Sequence, residues 1–150
     1  MKIAVLVKQV PGGDSPLRIS DDQLWVKEEH INFITNESDS YAVEEALQLK
    51  EKLGEGEVVA VSLGPDRTQR TIREALSKGA DRGIHIEESY PYASDPLQIA
   101  RTFASALEGE KFDLILTGLQ SDDFGFGQVG VLLGEMLGMS TATLVIATEL

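Results

Sequence analysis

Short apolar runs alternate with longer amphipathic stretches along this sequence. Residues 3–7 form a continuous apolar run, which is typical of a strand covered on both faces of a sheet. Similar strand-length runs lie at residues 58–63, 83–86 and 114–117, and a β-branched run follows at residues 143–147. The pattern therefore predicts five strands.

The stretches between these runs carry the start and stop signals of helices. Asn36 is a predicted N-cap because acidic residues occupy the turn after it, and Asp95 is a second one because a proline follows it. Glycines placed to end helices follow at Gly54, Gly79 and Gly138. This alternation of strand and helix predicts an α/β fold with a doubly wound, mostly parallel sheet and helices on both faces.

A small excursion near residues 17–35 interrupts the alternation. Residues 17–19 and 24–26 flank a short polar segment, and this pattern predicts a β-hairpin. A further short extended piece is predicted at residues 31–34. We expect Trp25 to pack within the hairpin.

The composition is that of an ordinary soluble domain. Of 150 residues, 42% are hydrophobic and 25% are charged, and no low-complexity linker is visible, so we expect a single domain over residues 1–150. The absence of cysteine excludes thiolate nucleophiles, zinc knuckles and iron–sulfur ligation, so redox chemistry would require a bound cofactor. The sequence stops at Leu150, directly after the predicted last strand. Either that strand closes the sheet or the sequence is the N-terminal part of something longer.

The charge is strongly acidic. Thirteen Lys and Arg against 25 Asp and Glu give a formal net charge of −12, which disfavours nucleic acid and anionic membranes as partners. No apolar run approaches the roughly 18 residues of a membrane span, and the start lacks a signal-peptide pattern, so we expect a cytoplasmic protein without integral membrane contact. Because cations are scarce, a bound phosphate would be met by backbone N–H groups and helix N-termini.

The loops after the strands are the places where a ligand is expected. In open α/β sheets, ligands bind beyond the carboxyl ends of the strands, which here selects residues 8–13, 63–66 and 118–129. The third loop is the most informative, because its glycines follow the pattern GxGxxG between a strand and a helix. Glycine lets the backbone approach a phosphate closely, and free N–H groups at the start of the helix favour an anion.

Gly125, Gly127 and Gly130 supply that pattern, but its place in the chain is unusual. A dinucleotide fingerprint belongs after the first strand and requires an acidic residue about 20 positions further on, where this sequence offers only Glu149. A nicotinamide-type Rossmann site is therefore disfavoured against a nucleotide-phosphate loop of another kind. A purely structural glycine turn is the third interpretation.

Other polar residues carry weaker signals. Asp122 and Asp123 could hold Mg²⁺, although adjacent carboxylates in an acidic protein are more often solvated or capping. His30 and His85 have no Ser or Asp partner at a recognisable spacing, so no catalytic base is expected. Three arginines are interpreted as solvated helix positions: Arg67, Arg70 and Arg73.

Six separated sequence blocks occur in a specific order and spacing. They are residues 7–11, Asn36 with 42–46, 61–65, 72–76 with 79–85, 96–101, and 116–120 with 128–130. Together they resemble the β subunit of electron transfer flavoprotein, and the resemblance covers essentially the whole chain.

This resemblance implies a fold, a cofactor set and a set of partners. The fold would be Rossmann-like, of the adenine nucleotide α-hydrolase-like type. The chain would form a heterodimer with an α subunit, which carries the redox-active FAD. The β subunit would hold AMP or, in electron-bifurcating members, the AMP half of a second FAD. The pair would carry electrons from flavin-dependent dehydrogenases to an acceptor, without bond chemistry by the chain itself.

The resemblance and the strand-end loops together select one set of candidate cofactor-binding residues. They are Leu6, Lys8, Asn36, Glu37, Ser38, Asp39, Leu63, Gly64, Gly118, Leu119, Gln120, Ser121, Asp122, Asp123, Phe124, Gly125, Phe126, Gly127, Gln128 and Val129. No catalytic residue and no metal ligand is predicted. Two departures leave AMP and a second FAD as open alternatives: residues 127–129 read Gly-Gln-Val where ordinary members have Asn-Gln-Thr, and Glu37 replaces a proline.

A different class of protein shares the same predicted architecture. A stand-alone adenine-nucleotide-binding module of the universal-stress type also has this sheet and a glycine-rich loop before its last helix. Such a module would be a homodimer that binds ATP and has no flavin-bearing partner.

Overall fold

The computed structural model describes residues 1–89 and 94–149, so Leu150 lies outside the described residues. In chain order, the elements are β1 (Lys2–Leu6), β2 (Gln9–Pro11), β3 (Phe33–Thr35), α1 (Glu37–Leu53), β4 (Glu57–Gly64), α2 (Gln69–Lys78), β5 (Arg82–Glu87), α3 (Pro96–Leu107), β6 (Leu114–Thr117) and α4 (Val129–Leu137). None of the helices in these two segments is long and apolar enough to cross a membrane.

Four strands form one parallel sheet in the order β5-β4-β1-β6. The first strand, β1, is central, and its last residue, Leu6, is aligned with Val61 of β4 and Thr117 of β6. The connection from β5 to β6 carries the chain to the other side of β1, and this change of direction makes the sheet doubly wound. The predicted parallel sheet is confirmed.

Two hydrophobic cores lie on opposite faces of the sheet. Ile3 and Val5 pack with residues of α1 and α2, whereas Ala4 and Leu6 pack with residues of α3 and α4. Successive side chains of a strand point to opposite faces, so a strand between two helix layers must be apolar at every position. This explains the unbroken apolar run of β1 and confirms the helices on both faces.

The helix boundaries follow the predicted signals. Asp95 caps α3, since its Oδ1 accepts a hydrogen bond from the backbone N of Gln98 at 2.8 Å. Gly54 and Gly138 end α1 and α4 in the left-handed conformation, at φ +72° and +66°. Asn36 occupies the N-cap position of α1, but its side chain makes no capping hydrogen bond.

The excursion contains less regular structure than the predicted hairpin. A single antiparallel bridge joins Ile19 and Val26. The predicted extended piece is confirmed as β3, but it pairs antiparallel with β2, where Val10 is aligned with Ile34. The pattern gave no signal for β2, because a strand of three residues lies within a segment that reads as a strand-end loop.

The prediction of a strand at residues 143–147 is wrong. The segment forms no strand, and Leu144 and Val145 are 75% and 54% exposed while Ile146 is fully exposed. β-Branched composition favours a strand only where a neighbouring strand can take up its backbone N–H and C=O groups. Here β6 ends the four-stranded sheet, and the segment does not pair with it.

Candidate functional site

Three separate segments converge at the carboxyl edge of the sheet. They are Lys8 just beyond β1, the start of α1 at residues 36–39, and the segment of residues 118–128 between β6 and α4, which we call the glycine loop. β1 and β6 are neighbours in the sheet, so their carboxyl ends meet at one place. The site predicted at this edge is therefore assembled from distant parts of the sequence.

Asp39 is the buried centre of this convergence. Its Oδ2 accepts a hydrogen bond from the backbone N of Lys8 at 2.8 Å, and its Oδ1 accepts one from the backbone N of Gly118 at 3.0 Å. A Cβ at Gly118 would overlap Oδ1, so the close approach requires glycine. Burial raises the pKa of Asp39 to about 6, against the opposing effect of the hydrogen bonds to the carboxylate.

Asn36 holds the glycine loop instead of capping α1. Its Oδ1 accepts a hydrogen bond from the backbone N of Asp122 at 2.9 Å, and its Nδ2 donates to the carbonyl of Gln120 at 3.0 Å. The hydroxyl of Ser38 donates to the same carbonyl at 2.9 Å. The predicted capping role is wrong, because the amide, only 1% exposed, is taken up by a loop far along the chain.

Lys8 places its charge inside the loop. Its Nζ lies 2.6 Å from Oδ1 of Asp123 and 3.2 Å from the hydroxyl of Ser121, and it sits 4.6 Å above the ring of Phe124. Burial alone would raise the pKa of Asp123, but the hydrogen bonds from Lys8 and Ser121 hold it below its ordinary value. Asp123 is thus an internal partner of Lys8, and its charge and that of the ammonium compensate each other.

Two glycines turn the chain from the loop into α4. Gly125 and Gly127 adopt φ values of +65° and +62°, in the left-handed region that favours glycine. The backbone N of Gly125 donates to the carbonyl of Ser121 at 2.9 Å, which closes a turn within the loop. A Cβ at Gly127 would lie 3.3 Å from the carbonyl oxygen of Leu119, so a side chain there would be both strained and crowded.

The start of α4 is suited to an anion. Gln128 occupies its N-cap position and makes no side-chain capping hydrogen bond, so the first-turn N–H groups are not taken by a cap. Gly130 lies in the first turn, and a Cβ there would come within 2.8 Å of Oγ1 of Thr117. The third glycine of the pattern therefore lets α4 pack closely against the end of β6.

Aromatic side chains join the loop to the excursion. The ring centroids of Trp25 and Phe124 are 5.8 Å apart, and those of Phe124 and Phe126 are 5.6 Å apart at an interplanar angle of 23°. Trp25 was expected to pack within the hairpin; its indole Nε1 donates to Glu28 of the excursion, and its ring also contacts the glycine loop. No sequence signal links two aromatic residues so far apart in the chain.

Four of the predicted site residues have contacts apart from the hydrogen bonds that hold the glycine loop. Leu6 is buried at the end of β1, and Leu63 packs against the core formed with α3 and α4. Gly64 ends β4, the neighbour of β1 on the side opposite to β6. Glu37 accepts a hydrogen bond from the hydroxyl of Tyr41 within α1 at 2.9 Å.

Arg67 has a structural role that the sequence did not reveal. Its Nη1 donates to Oε1 of Gln9 at 2.6 Å, its Nη2 donates to Oε1 of Glu28 at 2.9 Å, and its guanidinium stacks 3.7 Å above the ring of Phe33. The expectation of a solvated position is wrong here, because the excursion folds back over this side chain. Arg67 thus fastens the excursion to the sheet edge.

The other two arginines and His85 have local partners. Arg70 pairs with Glu74 one turn along α2, and Arg73 donates to Gln69, as expected of solvated helix positions. His85 places Nε2 3.0 Å from both Oγ1 of Thr68 and the carbonyl oxygen of Gly64. These contacts assign His85 to the packing of the α2 region.

A known protein family matches the part of the chain that forms this edge of the sheet. The model of the electron transfer flavoprotein domain matches residues 23–150, which include the start of α1 and the whole glycine loop. The chain belongs to the electron transfer flavoprotein family. The resemblance inferred from the six sequence blocks is confirmed.

Relatives within this family match nearly the whole chain. The electron transfer flavoprotein subunit beta of Homo sapiens is 40% identical over 145 residues, which cover 95% of this chain and 57% of the relative. The proteins of the same name from Methylophilus methylotrophus and Syntrophomonas wolfei are 33% and 37% identical, over 97% and 100% of this chain and 55% and 58% of their own lengths. The chain thus spans less than three-fifths of these curated relatives.

Proposed function

We propose that this chain binds an adenine nucleotide at the glycine loop and acts within an electron transfer flavoprotein as its β subunit. The observation that supports this most directly is the attachment of the loop. Buried Asn36 and Asp39 fasten the loop to β1 and α1 through hydrogen bonds within the chain. A loop preorganised in this way loses little conformational entropy on binding.

The donors that the loop offers to a phosphate are backbone N–H groups. The ammonium of Lys8 is paired with Asp123, so it does not supply a free cation. The backbone N–H groups of Gly127 and of the first turn of α4 are the donors that would hold the phosphate.

The partner of this chain would be an α subunit. The matched relatives are named as beta subunits, which supports an α subunit as the partner of this chain. The flavin of that partner would supply the electron chemistry, and the residues of this chain would bind and orient the nucleotide. Flavin-dependent dehydrogenases would be the electron donors of the pair. The nucleotide is AMP or the AMP half of a second FAD.

Gly127→Val tests the binding site. The branched side chain would strain a backbone at φ +62° and crowd the carbonyl of Leu119. We expect at least a tenfold loss of nucleotide affinity, which corresponds to about 1.4 kcal/mol. Gly109→Val is the matched control, because a Cβ at Gly109 meets nothing within 4 Å.

The measurement is the nucleotide content of the purified variants, followed by calorimetric titration of the stripped proteins with AMP and with FAD. Chromatography of the released nucleotide identifies which of the two the protein carries. If Gly127→Val keeps its fold and its full nucleotide content, the loop is not the binding site.

A further inference from the structure

The excursion crosses the carboxyl edge of the sheet and contacts the segments that follow three of its strands. It continues from β2, which lies just beyond β1. Its Glu28 pairs with Arg67 beyond β4, and its Trp25 contacts Phe124 beyond β6. Because β4, β1 and β6 are consecutive in the sheet, the excursion spans the edge at which the nucleotide is proposed to bind.

The excursion has little buried structure of its own. Between β2 and β3, a segment that the structure describes in full, a single antiparallel bridge joins Ile19 and Val26. The apolar side chains of Leu17, Ile19 and Leu24 are 62%, 66% and 73% exposed. A segment with so few buried apolar contacts can open locally at a much lower free energy than global unfolding requires. Its position therefore depends on a small number of side-chain contacts with the sheet edge.

Arg67 makes the main set of these contacts. Its Nε and Nη2 donate to the two carboxylate oxygens of Glu28 at 3.1 and 2.9 Å, a fork that a lysine could not form. Gln9 holds Arg67 in turn, since its Nε2 donates to the Arg67 carbonyl at 3.1 Å and its Oε1 accepts from Nη1 at 2.6 Å. With the guanidinium also stacked on Phe33, the fork loses less side-chain entropy than an ordinary surface ion pair.

Glu28 also fixes the part of the excursion that touches the glycine loop. Its Oε1 accepts a hydrogen bond from the indole Nε1 of Trp25 at 3.2 Å, and the indole ring lies 5.8 Å from the ring of Phe124. Phe124 stands directly before Gly125, the first glycine of the turn into α4. A continuous series of contacts thus leads from Arg67 to the loop that would hold the phosphate.

We propose that the excursion is a gate over the candidate site and that Arg67 is the positioning residue that keeps it closed. The proposal rests on the proposed function and extends it to the entry and release of the nucleotide. The ligand passes only while the fork between Arg67 and Glu28 is broken and Trp25 has left the glycine loop. Because opening precedes both entry and release, weaker closure speeds both and leaves the affinity unchanged. A residue that only supported the binding site would change the affinity instead.

Arg67→Gln tests the gate, because glutamine keeps a polar side chain and removes the fork. We expect AMP to enter and to leave about tenfold faster, which corresponds to about 1.4 kcal/mol, close to the value of one hydrogen bond to a charged group. The dissociation constant should change by less than about twofold. Glu28→Gln should act in the same direction, and the double variant should be no faster than Arg67→Gln, because both substitutions break one interaction.

The rates are measured with radiolabelled AMP, by its uptake into the stripped chain and by its loss during a chase with unlabelled AMP. Opening is measured separately, without ligand, by hydrogen exchange of the amides of Ser20 and Lys27, which donate across the excursion to the carbonyls of Trp25 and Arg18. Their exchange should be faster in Arg67→Gln. The matched control is Arg70→Gln, since Arg70 pairs with Glu74 within α2, and it should change neither the rates nor the exchange.

Three outcomes would overturn the gate and leave the proposed function standing. The first is unchanged amide exchange in Arg67→Gln, which would mean that this side chain does not keep the excursion closed. The second is faster amide exchange with unchanged rates of AMP entry and release. The third is a faster release alone, with a matching loss of affinity, which would assign Arg67 to support of the binding site. Wild-type protein that binds neither AMP nor FAD would overturn the proposed function itself, and the gate with it.

Discussion

At the scale of single residues, the carboxylate of Asp39 joins the ends of two neighbouring strands. It is 7% exposed and accepts hydrogen bonds from Lys8 at the end of β1 and from Gly118 at the end of β6. Burial raises the pKa of Asp39 to about 6, because the hydrogen bonds from Lys8, Asn36 and Gly118 compensate the loss of water around the charged form only in part. One side chain thus couples the geometry of the candidate site to protonation.

Asp39 should make the stability of the protein depend on pH in a defined direction. Its pKa is raised from 3.8 to about 6 in the folded state, so the folded state binds the proton more tightly than the unfolded state. The stabilising contribution is complete below pH 3.8 and is lost as the pH rises to about 6, by about 3 kcal/mol in total. Asp39→Asn should lack this contribution.

The test is urea unfolding of the wild type and of Asp39→Asn between pH 4 and 7. The difference between their unfolding free energies should change across this range, whereas Asp14→Asn, at an exposed position, should follow the wild type. Parallel profiles for all three proteins would contradict the raised pKa.

At the scale of elements, the connection from α2 to β5 explains the composition of the sequence block at residues 79–85. Gly79 ends α2 at φ +123°. Asp81 then accepts a hydrogen bond from the backbone N of Val58 at 2.7 Å and pairs with Lys50 at 2.6 Å. Gly83 leaves room for Ile72 of α2, whose Cγ2 would overlap a Cβ at that position. Asp81 and Gly83 therefore position β5 against β4 and α2.

Gly83→Ala should destabilise the protein through this packing. Ile72 is 7% exposed and has little room to move, so the added methyl group should cost about 1–3 kcal/mol of unfolding free energy. In an Ile72→Ala background the same substitution should cost much less, because the clash is gone. A double-mutant cycle in urea checks this, and additive effects of the two substitutions would count against the predicted clash.

At the scale of the whole molecule, the aromatic residues limit what the chain can hold alone. The sequence has 5 Phe, 3 Tyr and 1 Trp, and the one aromatic stack at the candidate site lies on the outside of the loop among the described residues. Rings on the outside of a loop contact only one face of a flavin ring and do not enclose it. A redox-active flavin is therefore expected at an interface with a partner.

We predict that the purified chain is nearly colourless and that a yellow complex forms when it is produced together with an α subunit. Absorbance in the flavin bands, recorded for the chain alone and for the pair, checks this. Stoichiometric flavin on the chain alone would indicate a second FAD at the glycine loop in place of AMP. A pair without flavin would contradict the electron-transfer role.

Addition of AMP or ADP should raise the thermal unfolding midpoint of the stripped chain. A ligand that binds only the folded state stabilises it by about 2.7 kcal/mol at a hundredfold excess over its dissociation constant. Scanning calorimetry with and without nucleotide measures the shift. If neither AMP, ADP nor FAD moves the midpoint, the nucleotide-binding proposal fails.

The local and periodic features of this protein were determined by its sequence alone. The unbroken apolar run of β1 required two covered faces, and Asp95, Gly54 and Gly138 marked helix ends, because each of these signals acts over a few residues. The glycine pattern also located the loop, since left-handed backbone and close packing both demand glycine.

Everything that depends on contact between distant segments was decided only by the tertiary structure. Asn36 could cap a helix or hold a loop, and the arrival of Gln120 and Asp122 selected the second role. Trp25 likewise met Phe124 only when the excursion folded over the sheet edge. The strand run at residues 143–147 failed for the same reason: backbone groups need a partner, and propensity does not supply one.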